Sequence, residues 1–205
     1  LARGPVNTLN AALMADLIQA LDMAEADPEV SAIVLAAEGA HFCAGLDVAE
    51  LGRVQIAALP KLTQRIETLT KPLVAALQGN VLGGGLELAS ACHIRVADES
   101  AFYALPEGTR GIFVGGSGAV RIPKLIGVAR MTDMMMTGRV YNATDGERLG
   151  FAQYLVPTGT ALDKALELAQ RVATNAPLTN YALMHALPRI AEQSADHGLF
   201  TEAMI

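Results

Sequence analysis

The chain has 205 residues, 52% of them hydrophobic, with 19 glycines, no tryptophan and a formal net charge of −6. That is enough sequence for one domain with a substantial core, and the balance excludes a disordered or fibrous chain. An acidic total without any Lys/Arg run argues against nucleic acid as the main partner. No apolar run is long enough to span a bilayer, so no membrane partner is expected either.

Asn10, or Thr8 before it, is placed to cap a helix running to about Ala26, with Leu13, Leu17, Leu21 and Ala24 on one face. Val30 to Ala37, VSAIVLAA, is short, apolar and rich in β-branched residues, which predicts a buried strand. A loop, EGAHFCAGLD, follows. Helical spacing then runs from about Gln55 to Thr70 through Ile56, Leu59, Leu62, Ile66 and Leu69, until Lys71-Pro72 stops it. LVAALQG reads as a second buried strand, and the glycine loop after it opens a helix. HIRVAD and FYAL read as short strands. After Arg110, GIFVGGSGAVRIPKLIG turns into helix, and from about Ala129 the chain is mostly helical, with QYLVP as one more strand. Strands alternating with helices from Val30 to Val96 predict parallel pairing in a single α/β domain spanning residues 1–205.

Between Pro72 and Cys92, Glu87 is the only formally charged side chain, and it follows Gly83-Gly84-Gly85 directly. A buried lone carboxylate costs several kcal/mol unless it is partnered or protonated. Glycines before a helix leave backbone N–H groups free and open to close approach. A phosphate loop would follow these glycines with Lys and then Ser or Thr, and Leu86-Glu87 supplies neither. An oxyanion held by an N–H beside a proton-transferring carboxyl fits better. Close strand–helix packing around a partnered structural Glu accounts for the same residues. His41 to Asp47, HFCAGLD, is a second turn able to present an N–H, or an ordinary loop capped by Asp47. Glu107, after Pro106 in ALPEGTRG, sits on a stiff loop, where it is either a solvated glutamate or a second carboxyl for an acid/base pair.

Other features point to structure. GGSGA resembles a nucleophile elbow but ends in Ala119 and reads as a tight helix entry. His41 with Cys43, and Cys92 with His93, match no zinc spacing, so no metal is expected. The two cysteines in apolar segments suit a reducing compartment. Met131, Met134, Met135 and Met136 read as helix core, and His185 and His197 as surface or interhelix residues.

Together these motifs resemble the enoyl-CoA hydratase/isomerase (crotonase) family. The matching stretches are PVNTLNAALMADL, FCAGLDVAEL, KPLVAALQGNVLGGGLELASACHIRVA, PEGTRGIFVGGSGAVRIPKLIG and MMTGRVYNATDGERLGFAQYLVP, in family order over nearly the whole chain. The resemblance implies a crotonase-like spiral of ββα units over residues 1–155 and a helical C-terminal region over 156–205. It implies that the family's first strand and last helices lie outside this chain, which opens at Leu1 rather than Met. The implied substrate is an acyl-CoA thioester, with coenzyme A part of the substrate and no other cofactor. The oxyanion hole would be the N–H groups of Leu46 and Gly84. Ala44, Leu46, Asp47, Val48, Ala49, Gly83 and Gly84 would bind the CoA portion, and Glu87 and Glu107 would be catalytic.

The reaction implied is syn addition of water across the 2,3 double bond of an enoyl-CoA. Isomerisation or aromatic hydratase–lyase chemistry on the same scaffold is the alternative, and a non-catalytic RNA-binding relative a more distant one. A homo-oligomer, either a trimer or a pair of trimers, in the cytoplasm is expected. The chain departs from the family's usual pattern at Ala49, where a basic residue is frequent, at Val114, where proline is common, and at His93, where an acidic residue is common.

Overall fold

A computed structural model describes residues 1–50 and 57–205. Helix α1 (Ala11–Ala26) is capped by Asn10, whose side chain accepts from the Leu13 N–H. Strand β1 (Ile33–Leu35) is the centre of the longer run predicted from Val30 to Ala37, with Leu35 buried and Ile33 and Val34 half-buried. Helix α2 (Ala58–Glu67) buries Leu59, Leu62, Thr63 and Ile66 at helical spacing. The expected start of that helix, Gln55 and Ile56, lies outside the described residues.

Strand β2 (Leu73–Leu77) is buried throughout. Alternation explains this: Val74 and Ala76 face one side, against Ala161, Ala165 and Leu168, while Leu73, Ala75 and Leu77 face the main core. Three elements follow: β3 (Asn80–Leu82), α3 (Gly84–Ala91) and β4 (Ile94–Asp98). The short strand β3 is absent from the sequence reading, in which the glycine loop followed β2 directly. Three residues carry too little periodicity to announce a strand.

The chain continues through β5 (Phe102–Ala104), α4 (Gly118–Ile126), α5 (Val128–Thr137), β6 (Tyr141–Asn142), α6 (Ala143–Leu149) and β7 (Tyr154–Val156). It ends in α7 (Ala161–Ala173), α8 (Pro177–His185), α9 (Leu187–Ala191) and α10 (Ala195–Glu202). One sheet orders β1-β2-β4-β7, all parallel, as the alternation of strands and helices predicts. A second sheet orders β3-β5-β6, with β5–β6 antiparallel. Helix α7 covers the outer face of the first sheet, and α3 is buried in the middle of the molecule along all eight of its residues.

One packing expectation needs correction. Met131 and Met134 are core, but Met136 is 78% exposed, because it falls on the outer face of α5 two residues after the buried Met134. Cys43 and Cys92 are both buried and free, as expected of apolar segments. His41 Nδ1 accepts the Asn80 N–H and His93 Nδ1 accepts the Leu73 N–H, so both imidazoles tie strands together.

Candidate active site

Strand β3 decides where the site forms. On one side it pairs with β5 in the register Leu82↔Ala104, so the chain leaving β3 at Gly83 runs beside the chain leaving β5 toward Glu107. On the other side Val81 bridges Cys43 and the Leu82 N–H donates to the Cys43 carbonyl, which sets Gly45 and Leu46 against Gly83 and Gly84. Three segments distant in sequence therefore meet around one pocket. Ala44, Gly45, Leu46, Val48, Leu59, Gly83, Gly84, Glu87, Pro106, Glu107, Arg110 and Ile112 to Gly115 line it.

The glycine triplet does several jobs. Gly83 has φ +50°, and a Cβ there would sit 2.6 Å from Glu107 Oε1, so only glycine lets that carboxyl lie over the turn. A Cβ on Gly85 would collide with the Cys43 carbonyl, so the third glycine permits the two loops to touch. A Cβ built on Gly84 would be 3.4 Å from the Leu46 nitrogen, which measures how closely these two backbones approach. Neither the Leu46 N–H nor the Gly84 N–H has an acceptor among the described residues. For Gly84 the reason is structural, because it is the first residue of α3 and has no preceding turn to donate to.

Glu87 is 1% exposed. Its Oε1 accepts from the Gly116 N–H at 2.7 Å and the Gly118 N–H at 2.9 Å. Between them Ser117 adopts left-handed φ +72°, a backbone turn that points successive amides at one anion. Burial pushes the Glu87 carboxyl above its ordinary range, opposed by the amides of Gly118, Gly116 and Gly115 and by Arg121. Arg121 is itself ion-paired with Glu67. The first turn of α3 adds a dipole that favours the anion.

Glu107 is 8% exposed, and its Oε2 is buried without a hydrogen-bond partner among the described residues. Burial, reinforced by the charge of Glu87, raises its carboxyl to about 7, against its own backbone amide and Arg110, which pull it down. Two buried carboxyls in one pocket are thus held apart in acidity: Glu87 by fixed amides that favour its anion, Glu107 with one oxygen lacking a donor among the described residues. That separation is what an acid/base pair requires.

Ala44, Leu46, Val48, Gly83 and Gly84 of the expected CoA contacts line the pocket, whereas Asp47 and Ala49 do not. Asp47 pairs with Arg3 at 2.6 Å and accepts the Ala49 N–H at 3.1 Å, which braces the loop from behind. Sequence reading missed Gly116 and Gly118 as functional groups, taking GGSGA as a helix entry alone. It is that, but its amides also hold Glu87. The available signal was a lone buried carboxylate in need of donors and an unusually glycine-rich turn downstream.

Comparison with known proteins bears on the family and the fold. A family model described as enoyl-CoA hydratase/isomerase matches residues 1–205. The chain is 33% identical over 204 residues to a 2,3-dehydroadipyl-CoA hydratase of Escherichia coli (strain K12), covering 97% of this chain and 80% of that one. A solved structure from Rhodopseudomonas palustris CGA009, provisionally titled an enoyl-CoA hydratase, is 53% identical with a TM-score of 0.91, covering 96% of this chain and 78% of that one. The enoyl-CoA hydratase of Bacillus anthracis is 31% identical with a TM-score of 0.90, covering 96% and 80%.

Proposed function

The chain belongs to the enoyl-CoA hydratase/isomerase family, and from that premise we propose that it adds water across the 2,3 double bond of an enoyl-CoA through the pocket between Leu46, Gly84, Glu87 and Glu107. The observation that carries the reading is the meeting of two buried carboxyls of different acidity with two N–H groups that have no acceptor among the described residues.

The thioester oxygen takes the N–H groups of Leu46 and Gly84, which stabilise the enolate that forms as water attacks. One such donor is worth about 10²–10³ in rate. Glu87, whose anion the Gly116 and Gly118 amides favour against the upward push of burial, orients a water and accepts its proton as the oxygen bonds to the β-carbon. Glu107, protonated in part of the population near neutral pH, gives its proton to the α-carbon. Each proton transfer is worth about 10²–10⁴. The proton gained by Glu87 and the one lost by Glu107 balance, so exchange with solvent resets the pair. The reaction as proposed needs no cofactor beyond the CoA of the substrate. Ala44, Leu46, Val48, Gly83 and Gly84 would contact that CoA portion, with Asp47 and Ala49 shaping the loop behind them.

Glu87→Gln should abolish hydration while α-proton exchange of a saturated acyl-CoA in D₂O survives at reduced rate through Glu107. Glu107→Gln should lose both. Hydration by Glu107→Gln at near wild-type rate would overturn the reading. Isomerisation, which a single shuttling carboxyl can run, would instead appear as double-bond migration with little hydration in the wild type.

The same reading includes a homo-oligomer, a trimer or a pair of trimers, in the cytoplasm. The exposed apolar side chains of Leu178, Leu183, Leu187, Leu199 and Phe200 along α8 to α10 support assembly, and the two buried free thiols suit a reducing compartment. A clean monomer by light scattering at micromolar concentration would count against the oligomer.

A further inference from the structure

We propose that Arg110 selects an acyl group whose far end carries a carboxylate, an inference that rests on the hydratase reading and specifies its substrate class. Arg110 ends the short turn Gly108–Arg110 that follows Glu107, and it is exposed. It is the one basic residue among the described residues lining the pocket. Unlike Arg121, which Glu67 holds, its guanidinium makes no ion pair or hydrogen bond among the described residues. A pocket-lining cation that no carboxylate among the described residues holds by hydrogen bond or ion pair is placed to receive one from the ligand.

Glu107 is the nearby anion, and its charge interacts with that of Arg110, but its Oε2 is buried without a donor, so the guanidinium does not hold that oxygen. Nor does the CoA portion fit as well. In the proposed reading it lies against Ala44, Leu46, Val48, Gly83 and Gly84, on segments other than the one that carries Arg110. The apolar side chains of Pro106, Ile112, Phe113 and Val114 belong to the segment that carries Arg110, and all four line the pocket. An acyl chain whose thioester is held at the Leu46 and Gly84 N–H groups would share the pocket with this wall and with Arg110. A wall that is apolar along its length and cationic at its end matches a chain that is apolar in the middle and anionic at its tip. The planar guanidinium fork is matched to a carboxylate in shape as well as charge.

The test compares two six-carbon trans-2-enoyl-CoA thioesters, one ending in a methyl group and one in a carboxylate. It reads the ratio of their kcat/KM values. Arg110→Met should lower the ratio, carboxylate over methyl, by about 10- to 100-fold, as expected for losing a charge-assisted hydrogen-bonded pair. Arg110→Lys should retain part of it. Any effect of Arg110 on Glu107 or on the CoA portion acts on both substrates and cancels. A ratio unchanged by Arg110→Met overturns the proposal. If the wild type hydrates neither thioester the hydratase reading falls, and the Arg110 proposal is then read from calorimetric affinity for the two saturated six-carbon acyl-CoAs. There Arg110→Met should weaken the carboxylate-ended one by about 10-fold or more relative to the other, and equal weakening overturns it. Should Arg110→Met fail to fold, Arg110→Gln carries the same comparison.

Discussion

Gly118 meets Glu87 in two ways: its N–H donates to Oε1 at 2.9 Å, and its missing Cβ leaves room for the carboxylate stem. A Cβ at Gly118 would lie 2.7 Å from Glu87 Cγ and 2.8 Å from Oε1. Gly118→Ala should therefore displace the carboxylate by a fraction of an ångström to an ångström. We expect kcat to fall about 10²-fold, with KM little changed because the N–H groups of Leu46 and Gly84 are untouched. Steady-state kinetics with a structure of the variant would check it, and an unmoved Glu87 with reduced kcat would contradict the explanation.

Hydration should fall as pH rises through about 7, because Glu107 must be protonated to supply the α-carbon and burial raises its carboxyl to about 7. On the acid side, rate should fall as Glu87 takes up a proton, at a pH above the ordinary glutamate value because its carboxyl is also raised by burial. The kcat/KM–pH profile should be bell-shaped. A profile flat from pH 6 to 9 would remove Glu107 from the acid role.

The same carboxyl predicts a conflict between activity and stability. Its folded-state value, about 7, lies above the ordinary 4.5, so the native state prefers the protonated form. That preference stabilises fully below about pH 4.5 and is lost as pH rises through about 7. Glu107→Gln should thus raise unfolding free energy at pH 8 by about 2–3 kcal/mol, an upper range for a shift of this size. At pH 4 it should change little. Chemical denaturation at both pH values checks the sign.

His93 works in the opposite direction. Its Nδ1 accepts the Leu73 N–H at 3.0 Å, and burial, with the charges of His185 and Arg95, lowers its pKa from 6.5 to about 4. A depressed histidine contributes stability fully above about pH 6.5, and that contribution is lost as pH falls toward 4. His93→Gln should flatten the acid limb of the stability curve by up to about 3 kcal/mol between pH 7.5 and 4.5. An acid limb as steep as in the wild type would show that other groups govern it.

Sequence alone determined a good deal here. The apolar runs that hold β1 and β2 announce strands packed into a parallel sheet, since such continuous hydrophobicity needs cover on both faces. Asn10 marks the start of α1 by its cap, and the isolation of Glu87 among apolar residues marks it as a group needing partners. These are local signals, written in periodicity, capping and burial cost. Tertiary structure decided what no local signal holds. The three-residue β3 joins the Cys43 loop to β5, and its register alone sets Glu107 over Gly83 and Leu46 beside Gly84. Long-range pairing also turned GGSGA from a helix entry into the donor pair for a carboxylate about thirty residues upstream. The difference between the two carboxyls followed last, because the shift of a buried group depends on how many fixed dipoles reach it, and those that reach Glu87 arrive from elsewhere in the chain.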